Sequence, residues 1–216
     1  MSTIKTTNIT HGSNSGTNNL VLTDTGNVTV GADLIATKQN GCERIILEHF
    51  YTPCDGSVIA TSAGNITVPN VTAVVDVGES WTDVTGSAIT YTPPTGTTQV
   101  IYEYQFVYTG HDTTGFTSFK LSLAGTEVTD ARRHEHTTGG SELARTVNYQ
   151  WGFNIGDTAN AATGRVASWS SGKEIKIEAY DYSSGHDCFL HQLRYWENAD
   201  VTDFVTKPCV GITAIG

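Results

Sequence analysis

Three stretches of the chain alternate apolar and polar residues with a period of two. Between Gln99 and Tyr108 one side carries Val100, Tyr102, Tyr104, Phe106 and Tyr108, and the other carries Gln99, Glu103 and Gln105. In the second stretch Val147, Tyr149, Trp151, Phe153 and Ile155 stand opposite Asn148, Gln150 and Asn154. In the third, Ile175, Ile177 and Ala179 oppose Glu174, Lys176 and Glu178. Successive strand side chains point to opposite faces of a sheet, so one apolar and one polar row mark antiparallel strands that cover a core on one side.

Turn chemistry separates these runs. Ala124-Gly125, between Phe116–Leu123 and Thr126–Arg132, has the length of a two-residue hairpin. Gly110–Gly115, Ser183–Gly185 and Pro93–Gly96 read as further hairpin-like reversals. About eight to ten strands at this spacing imply an all-β chain with an antiparallel β-sandwich, jelly-roll-like, as its main body.

The first forty or so residues follow a different pattern. They hold no aromatic residue, and their apolar runs are short: Leu20-Val-Leu22, Val28-Thr-Val30 and Leu34-Ile-Ala36. So little apolar surface cannot close a core. Residues 1–41 are therefore expected to form a short extended β stem that orders by wrapping with other copies, and residues 42–216 the sandwich head. A disordered tail is the competing expectation. Gly64-Asn-Ile-Thr-Val68 echoes Gly26-Asn-Val-Thr-Val30, a weak internal repeat of strand and turn.

Composition adds to this picture mainly by exclusion. Thr, Gly, Val, Tyr and Asn are abundant, as pleated strands and their turns require. Twelve basic side chains against twenty-two acidic ones give a net charge of −10, with no cluster of cations to exchange for counterions on a nucleic acid. No run approaches the roughly 20 apolar residues of a membrane span, and the polar start lacks a secretory signal, so folding in a cytosol is expected. Four Asn-x-Thr sequons, at Asn8, Asn27, Asn65 and Asn70, then read as turns before strands. Cys42, Cys54, Cys188 and Cys209 show no Cys-x-x-Cys spacing and are expected to be free thiols.

Catalytic signatures are missing: no phosphate-binding Gly-rich loop, no Gly-x-Ser-x-Gly elbow, no calcium loop. The chain is expected not to be an enzyme and to need no cofactor. His134-Glu135-His136 is the sharpest metal candidate, because imidazoles at i and i+2 of a strand share a face. Against it stands a plain solvated loop, since Thr137-Thr-Gly-Gly140 follows. His191, in step with Phe189, Leu193 and Tyr195, reads as a hydrogen-bonded core histidine. His186-Asp187 is a second possible cluster, and His111-Asp112 reads as loop. Glu178, Asp181, Asp187 and Glu197 supply carboxylates without singling out a pair at glycosidase spacing. Among the four tryptophans, Trp169 in Ser168-Trp-Ser-Ser-Gly172 looks exposed and is the glycan-stacking candidate, whereas Trp151 should be buried.

Met1-Ser-Thr-Ile-Lys5, followed by Asn19-Leu-Val-Leu22 and Gly26-Asn-Val-Thr-Val30, resembles the opening of tail-fibre and related virion proteins of marine bacteriophages. Ser87-Ala-Ile-Thr-Tyr-Thr-Pro-Pro94 and Val100-Ile-Tyr-Glu-Tyr-Gln-Phe106 resemble their β-sandwich heads. The resemblance implies a virion component, assembled in the host cytoplasm. It would be a homotrimeric tail fibre or knob held to other virion proteins by the stem, with a host surface glycan as partner. A capsid decoration or head-fibre protein is the alternative, and a glycan-cleaving jelly roll the third reading.

Overall fold

In the computed structural model, the residues that can be described are 8–9, 20–22, 28–29, 44–110, 115–137, 143–185, 188–193, 195–196, 199–200 and 204–216. The chain divides into two compact units, Met1–Ile45 and Ile46–Gly216. In the first, β1 (Asn8–Ile9), β2 (Leu20–Leu22) and β3 (Val28–Thr29) pair antiparallel in chain order, with Ile9 opposite Leu20 and Leu22 opposite Val28. The Leu34–Ala36 run lies outside the described residues.

The second unit is a two-sheet antiparallel sandwich, and among the described residues no helix occurs. Its strands are β4 (Ile46–Pro53), β5 (Val58–Thr61), β6 (Gly64–Thr67), β7 (Val75–Val77), β8 (Thr82–Asp83), β9 (Ile89–Tyr91), β10 (Gln99–Gly110), β11 (Phe116–Leu123) and β12 (Thr126–His136). There follow β13 (Leu143–Asn154), β14 (Lys173–Asp181), β15 (Cys188–Leu190), β16 (Tyr195–Trp196), β17 (Ala199–Asp200) and β18 (Cys209–Ile215). The larger sheet is organised on β10. One flank of β10 pairs with β13 along its whole length, while the other is shared by β18, which leads to β4, and β15, which leads to β7. The smaller sheet runs β12-β11-β14, with β8 and β9 both on the far flank of β14.

The alternating rows lie where their period places them. Val100, Tyr102, Tyr104, Phe106 and Tyr108 are all 2% exposed or less, as are Ile175, Ile177 and Ala179. They meet between the sheets, where Phe106 packs against Phe119 at 5.6 Å between ring centroids. Trp151 and Ile155 are half-buried, at the margin of this core. The preference for Tyr over Phe has a physical reason, because a buried phenol must find an acceptor. Tyr102 Oη donates to Ser87 O and Tyr104 Oη to Thr85 O, each at 2.7 Å, and Tyr149 Oη donates to Ala131 O on β12. The phenols of β10 and β13 thus tie the larger sheet to the backbone packed against it.

Ala124 and Gly125 have φ of 50° and 77°, the doubly positive turn that matches strand twist, and Leu123 pairs with Thr126. The other three linkers behave differently from the hairpins their composition suggests. Those after β9, β10 and β14 each carry the chain from one sheet to the other. The strands on either side pair with others instead: β10 with β13, β15 and β18, and β11 with β12 and β14.

β13 is the outer strand of its sheet, and its free edge is covered from the other sheet. Arg133 on β12 donates through Nη1 to Asn148 O (3.1 Å) and through Nη2 to Gln150 O (2.9 Å), with its guanidinium 4.6 Å from the Tyr149 ring centroid. A cation thus occupies carbonyls that would otherwise invite another strand.

Candidate functional site

The outward face of the larger sheet is built by four strands that the sequence keeps far apart. Register sets Gln150, Glu103, Gly211 and Tyr51 side by side across β13, β10, β18 and β4. The neighbouring row reads Asn148, Gln105, Cys209, Pro53, and the row on the other side Gly152, Ile101, Thr213, His49. Polar side chains pair across β10 and β13. Gln150 Nε2 donates to Glu103 Oε1 (2.7 Å), Gln105 Nε2 to Asn148 Oδ1 (2.8 Å), and Gln99 Nε2 to Asn154 Oδ1 (3.1 Å). Each pair leaves donors and acceptors over, since an amide carries two of each and a carboxylate accepts several bonds.

Gly211 shapes this face. A Cβ there would come within 2.6 Å of Tyr51 Cδ2, so the Tyr51 ring lies across the position because glycine leaves it empty. Tyr51 is 46% exposed and its hydroxyl reaches Gln105 Oε1 at 3.4 Å. Partial burial, and then the Cys209 thiol, raise the phenol pKa, so it remains a donor at neutral pH. His49 Nδ1 shares a hydrogen bond with Thr213 Oγ1 at 2.9 Å. The result is a hollow of about 540 Å³ lined by His49, Tyr51, Glu103, Gln105, Asn148 and Gln150, with no Lys or Arg on its wall. An exposed aromatic face beside convergent amides and one carboxylate can hold a neutral polyhydroxylated ring: C–H groups lie on the tyrosine while vicinal hydroxyls bond to the planar groups.

The candidates named from sequence fare variously. Trp169 is not a stacking platform. It is 5% exposed, its Nε1 donates to Tyr91 O at 2.9 Å, and Tyr91 and Phe153 meet it edge-on at 6.5 and 5.8 Å. Its serine-rich surroundings suggested exposure, but a lone indole between two sheets is core whatever flanks it. A hollow of about 580 Å³ beside Pro93 and Pro94 touches only its margin.

His134 and His136 do share one exposed face of β12, as their spacing requires. Both rest on Phe116, His134 stacked at 5.4 Å and His136 at 6.5 Å. Among the described residues no three His, Cys, Asp or Glu side chains stand together as a metal would need, and this half-site gains no third ligand among them. Glu178 and Asp181 lie on opposite faces of β14, one paired with Lys120 at 3.2 Å and the other buried, so they form no carboxylate pair. His111, Asp112, His186, Asp187 and Glu197 fall outside the described residues.

His191 is fully buried and bonds Thr85 O through Nε2 at 2.9 Å. Its burial does not follow from the strand phase read in sequence, because Leu190 rather than Phe189 is buried and His191 turns inward at φ 64°. Desolvation lowers its pKa to about 4. Cys54, Cys188 and Cys209 are free thiols, and burial pushes the Cys54 thiol up to about 12, which leaves it unreactive.

No family model matches the sequence, and no curated protein matches it. Among solved structures, a chain of infectious bursal disease virus, Gx strain, aligns with 78% of this chain at 9% identity and a TM-score of 0.35. A chain of the Gt strain aligns with 74% at 8% identity and a TM-score of 0.22. This chain spans 40% and 50% of those two viral chains. Likeness at that level carries no argument about what the protein does.

Proposed function

We propose that the protein is a virion surface component, a homotrimeric fibre or knob of the tail, whose sandwich head attaches to a neutral glycan of the host through the amide-lined face. The observation that carries the reading is the hollow over Gly211. There one exposed tyrosine ring and two cross-strand polar pairs, Glu103 with Gln150 and Gln105 with Asn148, line a hollow with no Lys or Arg on its wall. The sequence resemblance to phage fibre proteins supplies the particle context, and the apolar-poor first 41 residues supply the reason for partners.

The test is binding of the full chain to arrayed neutral and acidic oligosaccharides, with Tyr51→Ala and Glu103→Gln beside it. Neutral glycans should bind, and each variant should weaken them about tenfold or more, by loss of ring contact or of a charge-assisted bond. The unfolding midpoint should hold, since both side chains point to solvent. Undiminished binding by Tyr51→Ala, or capture of acidic glycans alone, would refute the site. A monomeric mass by light scattering would refute the trimer.

A further inference from the structure

The larger sheet's polar face does not account for a second hollow, of about 220 Å³, at one end of the sandwich. Its floor is apolar, made by Leu123 and Val128 either side of the Ala124-Gly125 turn and by Val166 and Ala161 from the loop after β13. Lys173 and Arg165 are the charged residues of its lining. Lys173 is in step with Ile175 and Ile177, both fully buried, so it belongs to the inward row of β14, where the core gives out. Arg165 follows Gly164, whose φ is 71° and where a Cβ would come within 2.8 Å of Phe153. Only glycine lets the loop lie that close, and the close approach brings Arg165 to the hollow.

These two cations are unlike the others. Among the described residues Lys120, Arg132, Arg145 and Lys176 each pair with a carboxylate. Arg133 and Lys207 bond oxygens, and Arg44 has a partner too. Of these described cations, exposed Arg165 and half-buried Lys173 are the two with no side-chain partner, in a chain of net charge −10 that has carboxylates to spare. Two unpaired positive charges beside an apolar floor complement a molecule with an apolar body and an anionic head.

We infer that this hollow binds a small amphipathic monocarboxylate, with its head between Arg165 and Lys173 and its short aliphatic or single-ring body on Leu123, Val128 and Val166. The volume is below the roughly 300–1,000 Å³ of sites for larger ligands, which restricts the body to that size. A phosphate fits the charges but leaves the apolar floor unused.

The experiment is titration of the full chain with octanoate, followed by calorimetry and by NMR of the Leu and Val methyl groups. Acetate, octanol and inorganic phosphate serve as the other probes. Octanoate should saturate in the millimolar range or below, shifting Leu123, Val128 and Val166, with acetate, octanol and phosphate each at least about tenfold weaker. The double variant Arg165→Gln, Lys173→Gln should lose about tenfold or more while keeping the unfolding midpoint, and Ala161→Phe should block the hollow by filling it. Octanol equal to octanoate, phosphate equal to octanoate, no saturation, or a double variant that binds like the parent would each overturn the inference. Tyr51→Ala should leave octanoate binding unchanged, so failure here and failure of the glycan reading are separable.

Discussion

The two outward faces of the sandwich solve the same problem in opposite ways. Each must clothe the solvent side of a sheet whose other side is core. The β4-β18-β10-β13 face does so with amides paired to amides or to Glu103. The β12-β11-β14-β8 face does so with ions. Lys120 meets Glu178 at 3.2 Å, Lys176 meets Asp83 at 2.8 Å, and Lys120 also sits 4.4 Å from the Trp81 ring, which packs on Tyr180. An ion pair satisfies its two members largely with each other, whereas an amide pair uses one bond and leaves the rest of its capacity open. The difference teaches where to look for a ligand. The charged face is occupied by its own partners, and the amide face retains unspent donors and acceptors around a hollow.

Acid titration could separate the faces, because one carries many carboxylates and the other mainly Glu103, but the core between them must first be silenced. His191 is neutral in the fold, with a pKa lowered from 6.5 to about 4 by desolvation. Below the higher value the unfolded chain takes up a proton that the folded chain refuses. Stability therefore falls as pH drops from about 6.5 to about 4 and the loss levels off below that, amounting to about 3 kcal/mol. Urea midpoints of the parent and of His191→Asn should diverge through this window, Asn being chosen because it tolerates the positive φ. Parallel midpoints would mean that the imidazole is not shielded as its burial implies.

A smaller effect should follow from Arg133→Ala, which cuts one of the links between β12 of the charged sheet and β13 of the amide sheet. Two charged hydrogen bonds and a ring contact disappear, though water can reach carbonyls at a sheet edge, so the loss should be about 2 kcal/mol in chemical unfolding. The exposed β13 edge should also raise self-association at high concentration, readable by light scattering. Unchanged stability and unchanged mass together would show that the edge needs no cover.

How far the sequence alone leads depends on how local each signal is. Period-two rows need only neighbours two apart, so the cores of β10, β13 and β14 were legible, and so was the Ala124-Gly125 reversal. Gln99, Glu103 and Gln105, like Asn148, Gln150 and Asn154, were legible as polar rows, yet nothing marked them as facing pairs while β11 and β12 intervene. Tyr51 and Gly211 enter that face from opposite ends of the chain, and only register joins them. The exposure expected of Trp169 fails for the converse reason. Its flanking serines describe the local backbone, while its burial is decided by Tyr91 and Phe153, about eighty and sixteen positions earlier.

The smallest effect gives the finest test of the contrast between faces. Lys120→Gln removes a half-buried ion pair and a cation over an indole, while Lys176→Gln removes a pair whose carboxylate is 61% exposed. The first should lower stability by about 1 kcal/mol and the second by about 0.5 kcal/mol or less. Salt near 1 M should shrink both, since screening acts on exposed charges. Neither variant should alter glycan affinity, because the charged face looks away from the amide face across the whole thickness of the core. If Lys120→Gln weakened glycan binding as much as Tyr51→Ala does, the division of labour between the faces would fail, because a face already satisfied by its own ion pairs would then be taking part in recognition.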